Sequence, residues 1–118
     1  MNKTLQVFFA LIGLLFAQAA FACEQPTNFS VPNGKTATED QMNTAGKNYH
    51  QYMVDMQLYQ VCLNDDAESE RRDSNTLSKD KGRALENTFA SRHNSASADM
   101  KRTTEAFNKA IEAYQARP

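Results

Sequence analysis

The chain has 118 residues and a formal net charge of −1, from 13 Lys and Arg against 14 Asp and Glu. The two signs are interspersed, so the sequence lacks the basic face with which proteins bind nucleic acid or anionic membranes. With no Trp, four Gly and three Pro, and with long runs of Ala, Glu, Lys, Gln and Arg, the composition predicts one small all-α unit. Such a small core usually needs a covalent staple or a partner.

Residues 1–22 have the organisation of a secretory signal peptide. Lys3 precedes the apolar run LQVFFALIGLLFA, and the small residues Ala20 and Ala22 stand where signal peptidase reads the chain. The apolar run is too short for a comfortable membrane span, which needs about 20 residues. We therefore predict export to the periplasm with cleavage before Cys23. The mature chain would have 118 − 22 = 96 residues.

A lipoprotein is the alternative, because a cysteine at the new N-terminus is the residue that such proteins acylate. Ala20 stands where bacterial lipoproteins usually carry Leu, and the bulky Phe21 stands where a small residue is expected. Both departures favour the cleaved, unlipidated protein. Membrane attachment is expected only if Cys23 is lipidated, in which case Cys62 is left as a free thiol.

Residues 23–37 are predicted to form an extended arm. Pro26 and Pro32 disfavour a helix here, and Asn33 followed by Gly34 is a turn signal. The helical part of the chain is therefore expected to occupy residues 38–118.

The two cysteines of an exported chain most simply form one disulfide, here between Cys23 and Cys62. A helix from Thr38 to Cys62 rises about 36 Å, and the arm reaches about 50 Å when fully extended. The arm is thus long enough to run back along the first helix and lay Phe29, Val31 and Pro32 against it. Closing this loop is expected to contribute about 4 kcal/mol.

The stretch from Thr38 to Leu63 carries a seven-residue apolar repeat of the coiled-coil type, which predicts a long amphipathic helix. Thr38 and Gln41 match a capping box at its start. Polar helix formers follow Leu63, so the helix either frays through this acidic stretch or continues to near Arg72, and we favour continuation to a turn around Asp73. The repeat positions are Met42, Tyr49, Met56 and Leu63, with Ala45, Tyr52 and Tyr59 between them.

A second helix is predicted from about Ser78 to Gln115, where apolar residues repeat every eleven positions. Two long helices joined by a short connection predict an antiparallel helical hairpin, with the arm filling part of a third side. The rows of the repeat are Leu85, Ala96 and Phe107, then Phe89, Met100 and Ile111.

Short motifs spread over the mature chain resemble the pattern of a group of small uncharacterised exported proteobacterial proteins. The resemblance implies a periplasmic setting and a paired-cysteine framework, and it implies no catalytic residue. The matching positions are Cys23, Pro26, 31–34, Ala37, Thr38, Met42, Tyr59, Cys62, Leu63, Asn94, Phe107, Asn108, Tyr114 and Arg117.

His50, Met53 and Met56 form the sharpest chemical pattern, since thioether sulfur and imidazole suit Cu(I) and other soft ions. Their spacing places them on one broad stripe of the first helix. The competing interpretation is packing, because Met56 belongs to the apolar repeat and Met fills gaps beside aromatic rings. We favour packing and predict no metal or other cofactor, with a soft-metal site as the alternative.

An enzyme is not expected. His93 has no nucleophile motif beside it, and the sequence lacks a phosphate-binding glycine loop. The acidic run from Asp65 to Glu70 lacks the central glycine of a calcium loop and is expected to be a solvated helix face.

Tyr49, Tyr52 and Tyr59 suit either a binding face or the helix seam with their hydroxyls at its rim, and we favour the seam for Tyr52 and Tyr59. Two helices leave apolar surface uncovered, which predicts a homodimer or an envelope protein as partner. The sequence thus predicts a periplasmic, non-enzymatic interaction or structural module.

Overall fold

The computed structural model describes residues 23–73 and 78–118. In these ranges it contains an extended arm and two α-helices, α1 (Glu39–Asp73) and α2 (Lys79–Gln115). The predicted signal peptide, and Ser74 and Asn75 of the predicted turn, lie outside the described residues. The prediction that the first helix continues beyond Leu63 is confirmed, since α1 runs on to Asp73.

The predicted capping box opens α1. The backbone N–H of Thr38 donates to Oε1 of Gln41 at 2.8 Å, and the N–H of Gln41 donates to Oγ1 of Thr38 at 3.1 Å. These two bonds satisfy N–H groups that the first turn of a helix leaves without intrahelical partners. At the start of α2, Oγ of Ser78 accepts a bond from the N–H of Lys81.

The two helices form the predicted antiparallel hairpin. Side-chain contacts between them pair rising numbers in α1 with falling numbers in α2, which occurs only when the helices run in opposite directions. The contacts are Tyr49 with Thr104, Gln60 with Ser97, and Arg71 with Glu86.

The arm runs antiparallel to α1 and forms a third wall. A disulfide joins Cys23 to Cys62, with a Cα–Cα distance of 5.6 Å, and it confirms the predicted staple. Further along the arm, the Phe29 ring centroid lies 5.9 Å from that of Tyr49 on α1 and 5.4 Å from that of Phe107 on α2. The arm therefore packs against both helices.

The core lies between the two helices and the arm in two adjoining clusters. All seven positions of the predicted repeat in α1 face it: six are buried and Tyr49 is half-buried. From α2, Ala96, Phe107 and Ala110 are buried. The heptad prediction for α1 is therefore confirmed as the inward face of the helix.

A tight turn brings the arm onto the end of α2. Asn33 accepts backbone bonds from Thr36 and Ala37 at 3.1 and 2.8 Å, which confirms the predicted turn. A Cβ atom at Gly34 would overlap the backbone carbonyl of Ala110. Glycine is therefore required here by a close approach of two backbones.

Arg117 closes the same end of the hairpin. Its Nη1 donates to the carbonyl oxygen of Ala37 at 2.7 Å, and its guanidinium lies 4.3 Å from the centre of the Tyr114 ring. The C-terminal end of α2 is thereby fastened to the junction of the arm and α1.

Candidate interaction surface

The three residues of the predicted soft-metal stripe point in different directions. His50 is exposed, Met53 is half-buried against the core, and Met56 is fully buried at 0% exposure. Steps of three residues turn about 60° around a helix, so the set spans about 120° of its circumference. Met56 would have to leave the core to share an ion with His50, and no contact among the described residues favours that ligand set.

Asp66 lies beside the disulfide, with Oδ2 3.2 Å from Sγ of Cys23. It is half-buried, whereas Asp65, Glu68 and Glu70 are exposed as predicted. Thiol–disulfide exchange begins with attack by a thiolate, and a carboxylate at this distance repels an approaching anion. The surroundings of the bond thus suit a structural staple.

The position of Asp66 follows from helix geometry, although the sequence analysis treated the acidic run as a uniform solvated face. Asp66 comes four residues after Cys62, and side chains four apart lie on the same side of a helix. Cys23, Cys62 and Asp66 therefore form one cluster. The cysteine sulfurs of this cluster are already joined to each other.

Tyr52 and Tyr59 are seam residues, as predicted, with 5% and 7% exposure. The hydroxyl of Tyr49 forms a 2.6 Å hydrogen bond with Oγ1 of Thr104. The expected placement of the hydroxyls at the rim is wrong for Tyr52, whose oxygen is buried and has no hydrogen-bond partner among the described residues. The Phe29 ring, centred 6.4 Å from the Tyr52 ring, covers that side of the seam.

The face of α1 opposite the core carries an apolar surface that we call the outer patch, formed by Val54, Leu58 and Val61. Leu58 is 61% exposed and Val61 is 55% exposed, and both are large apolar side chains. Val54 is half-buried. The spacing of four and then three residues places all three on one side of the helix.

The outer patch was not predicted from the sequence, because the apolar repeat on the inward face of α1 is stronger. The signal was present, since Val54 and Val61 are seven residues apart with Leu58 between them. In the described residues of α2, no large hydrophobic side chain is exposed in this way. The outer patch therefore distinguishes α1 from α2.

An open groove lies between the arm turn and the first turns of α1. Polar and small side chains line it, and Asp40 is the single ionisable residue among them. A single carboxylate provides no acid–base pair.

His93, for which the sequence predicted no catalytic partner, is half-buried. Its backbone carbonyl accepts a 3.2 Å hydrogen bond from the side chain of Gln60.

No family model matches this chain, and no curated protein or solved structure matches it. Within residues 23–73 and 78–118, neither helix is long and apolar enough to cross a membrane. The function must therefore be inferred from the geometry of the chain itself.

Proposed function

We propose that this chain is an exported, non-enzymatic interaction module, which holds the outer patch on a stapled helical scaffold and presents it to a protein partner. The observation that carries the proposal is the exposure of Leu58 and Val61 on the face of α1 turned away from the core. Burying an apolar side chain of this size stabilises a complex by about 1.5–3 kcal/mol. A contiguous apolar patch with a polar rim is typical of protein interaction sites.

The scaffold holds the patch rigidly. The inward face of the same helix turns contributes Met56, Tyr59 and Leu63 to the core, and the disulfide is attached at Cys62, next to Val61. A preformed surface loses little conformational entropy on binding. The position of the staple therefore favours recognition through this part of α1.

The disulfide also supports the proposed location. Disulfides form and persist in oxidising compartments, including the bacterial periplasm, and the predicted signal peptide directs the chain there. Periplasmic residence and a homodimeric or envelope partner are parts of the proposal.

Site-specific photo-crosslinking in intact cells tests it. A photoreactive amino acid replaces Leu58, and a matched control carries the same group at Ala98, an exposed residue of α2. We expect a discrete crosslinked species from position 58 that position 98 does not give. Equal crosslinking at the two positions, or none at either, would contradict the proposal.

A further inference from the structure

The outer patch is the centre of a longer row on the back of α1. Positions taken alternately four and three residues apart run through Val54, Leu58 and Val61 and extend in both directions along the helix. This is the spacing of a coiled-coil seam. Towards its ends the row becomes charged, with Asp40 at one end and Arg72 at the other.

The charges in this row follow a definite order along the helix. Asp40 and Lys47 precede the outer patch, and Asp65, Glu68 and Arg72 follow it. All five side chains are exposed, and none of them takes part in the salt bridges formed within residues 23–73 and 78–118. They are therefore available to a partner.

Four of these five charges are self-complementary about Met56. Asp40 and Arg72 each lie 16 residues from Met56, and Lys47 and Asp65 each lie 9 residues from it. Turning a copy of the helix end over end about this point places Asp40 opposite Arg72 and Asp65 opposite Lys47, while Glu68 lies opposite the neutral Thr44. The same operation places Val54 opposite Leu58.

We propose that the outer patch binds a second copy of this chain, with the two α1 helices antiparallel and the two-fold axis at the level of Met56. This inference depends on the proposed function, because it names the partner of the same surface. The apolar centre supplies the affinity, and the flanking charges set the register and direction, as they do in coiled coils.

The charges exclude the parallel arrangement in the same register. Parallel helices would set Asp40 against Asp40 and Lys47 against Lys47, and like charges placed opposite each other destabilise a complex. The balanced charges also differ from the Lys- and Arg-rich polar face of helices that lie on membranes. A second copy of this chain is therefore the partner whose charges complement those on this face of α1.

The rest of the fold leaves this face open. The arm and α2 pack against the core side of α1, where Phe29 and Phe107 meet, so two hairpins can approach back to back. The product is a four-helix arrangement with the α1 helices at its centre and the α2 helices outside.

Analytical ultracentrifugation of the oxidised mature protein tests the proposal. Wild type is expected to show a concentration-dependent monomer–dimer equilibrium, and Leu58→Glu should weaken the dimer by at least about tenfold. Ala98→Glu, on exposed α2 surface, is the matched control and should leave the equilibrium unchanged. Helical circular dichroism verifies that each variant is folded.

Charge reversal tests the direction. Lys47→Glu and Asp65→Lys should each weaken the dimer by about threefold to tenfold, and the double variant should restore it. The two residues are about 27 Å apart along one helix at 1.5 Å per residue, so restoration can arise only between chains. The single-variant effects should shrink as ionic strength rises.

A wild-type protein that stays monomeric at every concentration up to its solubility limit overturns the proposal, as does a dimer that is indifferent to Leu58→Glu. A double reversal that fails to restore the dimer overturns the antiparallel arrangement. A monomer whose position 58 still crosslinks a different protein would refute self-association and leave the interaction function standing. A monomer that crosslinks nothing would refute both.

Discussion

The two ends of the hairpin differ in how many walls enclose their apolar side chains. Where the arm lies, the core has three walls, and Phe107 is only 6% exposed. Beyond Cys62 the arm is absent, the described residues provide only the two helices, and Phe89 and Leu85 are half-buried. We call the two regions the arm-supported end and the open end. Their difference shows that two helices alone leave the apolar side chains of the seam partly exposed to water, and that a third element covers them.

The buried residues follow the same division. Met56, at 0% exposure, lies within the arm-supported end, and Leu63, at 1%, lies at its boundary in the cluster against which Cys23 packs. In the open end, the small side chain of Ala67 is the buried residue of α1, and Arg71 and Glu86 form an exposed salt bridge across the helices. Exposed pairs of this kind contribute about 0–1 kcal/mol. We therefore expect most of the free energy of unfolding to depend on the arm.

Removing the staple should have the largest effect. The disulfide closes a separation of 39 residues, and the chain-entropy model gives about 4 kcal/mol for a loop of this size. A variant with both Cys23→Ser and Cys62→Ser should lose about that much in urea unfolding. Wild type with reductant is the control, and hydrogen exchange should quicken most in the arm-supported end. Unchanged unfolding would show that non-covalent packing alone holds the arm.

Replacing one phenylalanine of α2 at each end with alanine should show how much each end contributes to stability. Phe107→Ala removes a buried ring and should cost about 3 kcal/mol, whereas Phe89→Ala, at a half-buried site, should cost about 1 kcal/mol. Chemical denaturation of both variants gives the comparison. Equal losses would mean that the open end is as well enclosed as the other.

Adding one methyl group to the arm turn should be nearly as damaging. Gly34→Ala drives a Cβ into the carbonyl of Ala110, and overpacking of this kind costs about 1–3 kcal/mol. Gly46→Ala is the matched control, because its Cβ meets nothing within 4 Å. That control should stabilise α1 by about 0.5–1 kcal/mol, since alanine is the better helix former. Thermal unfolding should therefore shift in opposite directions for the two variants.

The smallest expected effect concerns two tyrosines under the arm. Tyr52→Phe removes a buried hydroxyl without a partner among the described residues and should stabilise the fold by about 1 kcal/mol. Tyr49→Phe removes the bond to Thr104 and should destabilise it by a similar amount. Changes of opposite sign in the free energy of unfolding, measured with urea, would confirm that the Tyr52 hydroxyl is buried without a hydrogen-bond partner. Destabilisation by both changes would mean that the Tyr52 hydroxyl has a partner.

The sequence was sufficient to predict the elements that depend on local chemistry. The seven-residue repeat predicted the inward face of α1, the residues Thr38 and Gln41 predicted its cap, and the two cysteines predicted the staple. Each of these signals lies in periodicity, in side chains a few residues apart or in the number of cysteines. Such signals do not require knowledge of how the helices are aligned with each other.

The features that escaped prediction depend on that alignment. The close contact of Gly34 with Ala110, and the bond from Arg117 to Ala37, join positions about eighty residues apart. The burial of the Tyr52 hydroxyl depends on where the Phe29 ring packs. Register between elements sets these contacts, and a single sequence carries no local signal for it.

The outer patch is a different case, because its spacing was visible in the sequence. Val54, Leu58 and Val61 follow a four–three step, but a row with three apolar members looks weak beside a repeat with seven. Only the folded structure shows that these three side chains lie outside the core, on the opposite face of α1. A second apolar row on one helix can therefore indicate a second interface.

The position of the disulfide also determines how the molecule carries mechanical load. Along the covalent chain, tension applied between Cys23 and Arg117 passes through the disulfide into α1, so the backbone of residues 24–61 lies in a closed loop outside the covalent path of the force. In single-molecule stretching, reduction should release about 130 Å of additional chain, at roughly 3.4 Å for each residue of the loop. A protein pulled from its arm would thus keep Phe29, Tyr49 and Met56 within a loop that cannot be extended until the disulfide is reduced.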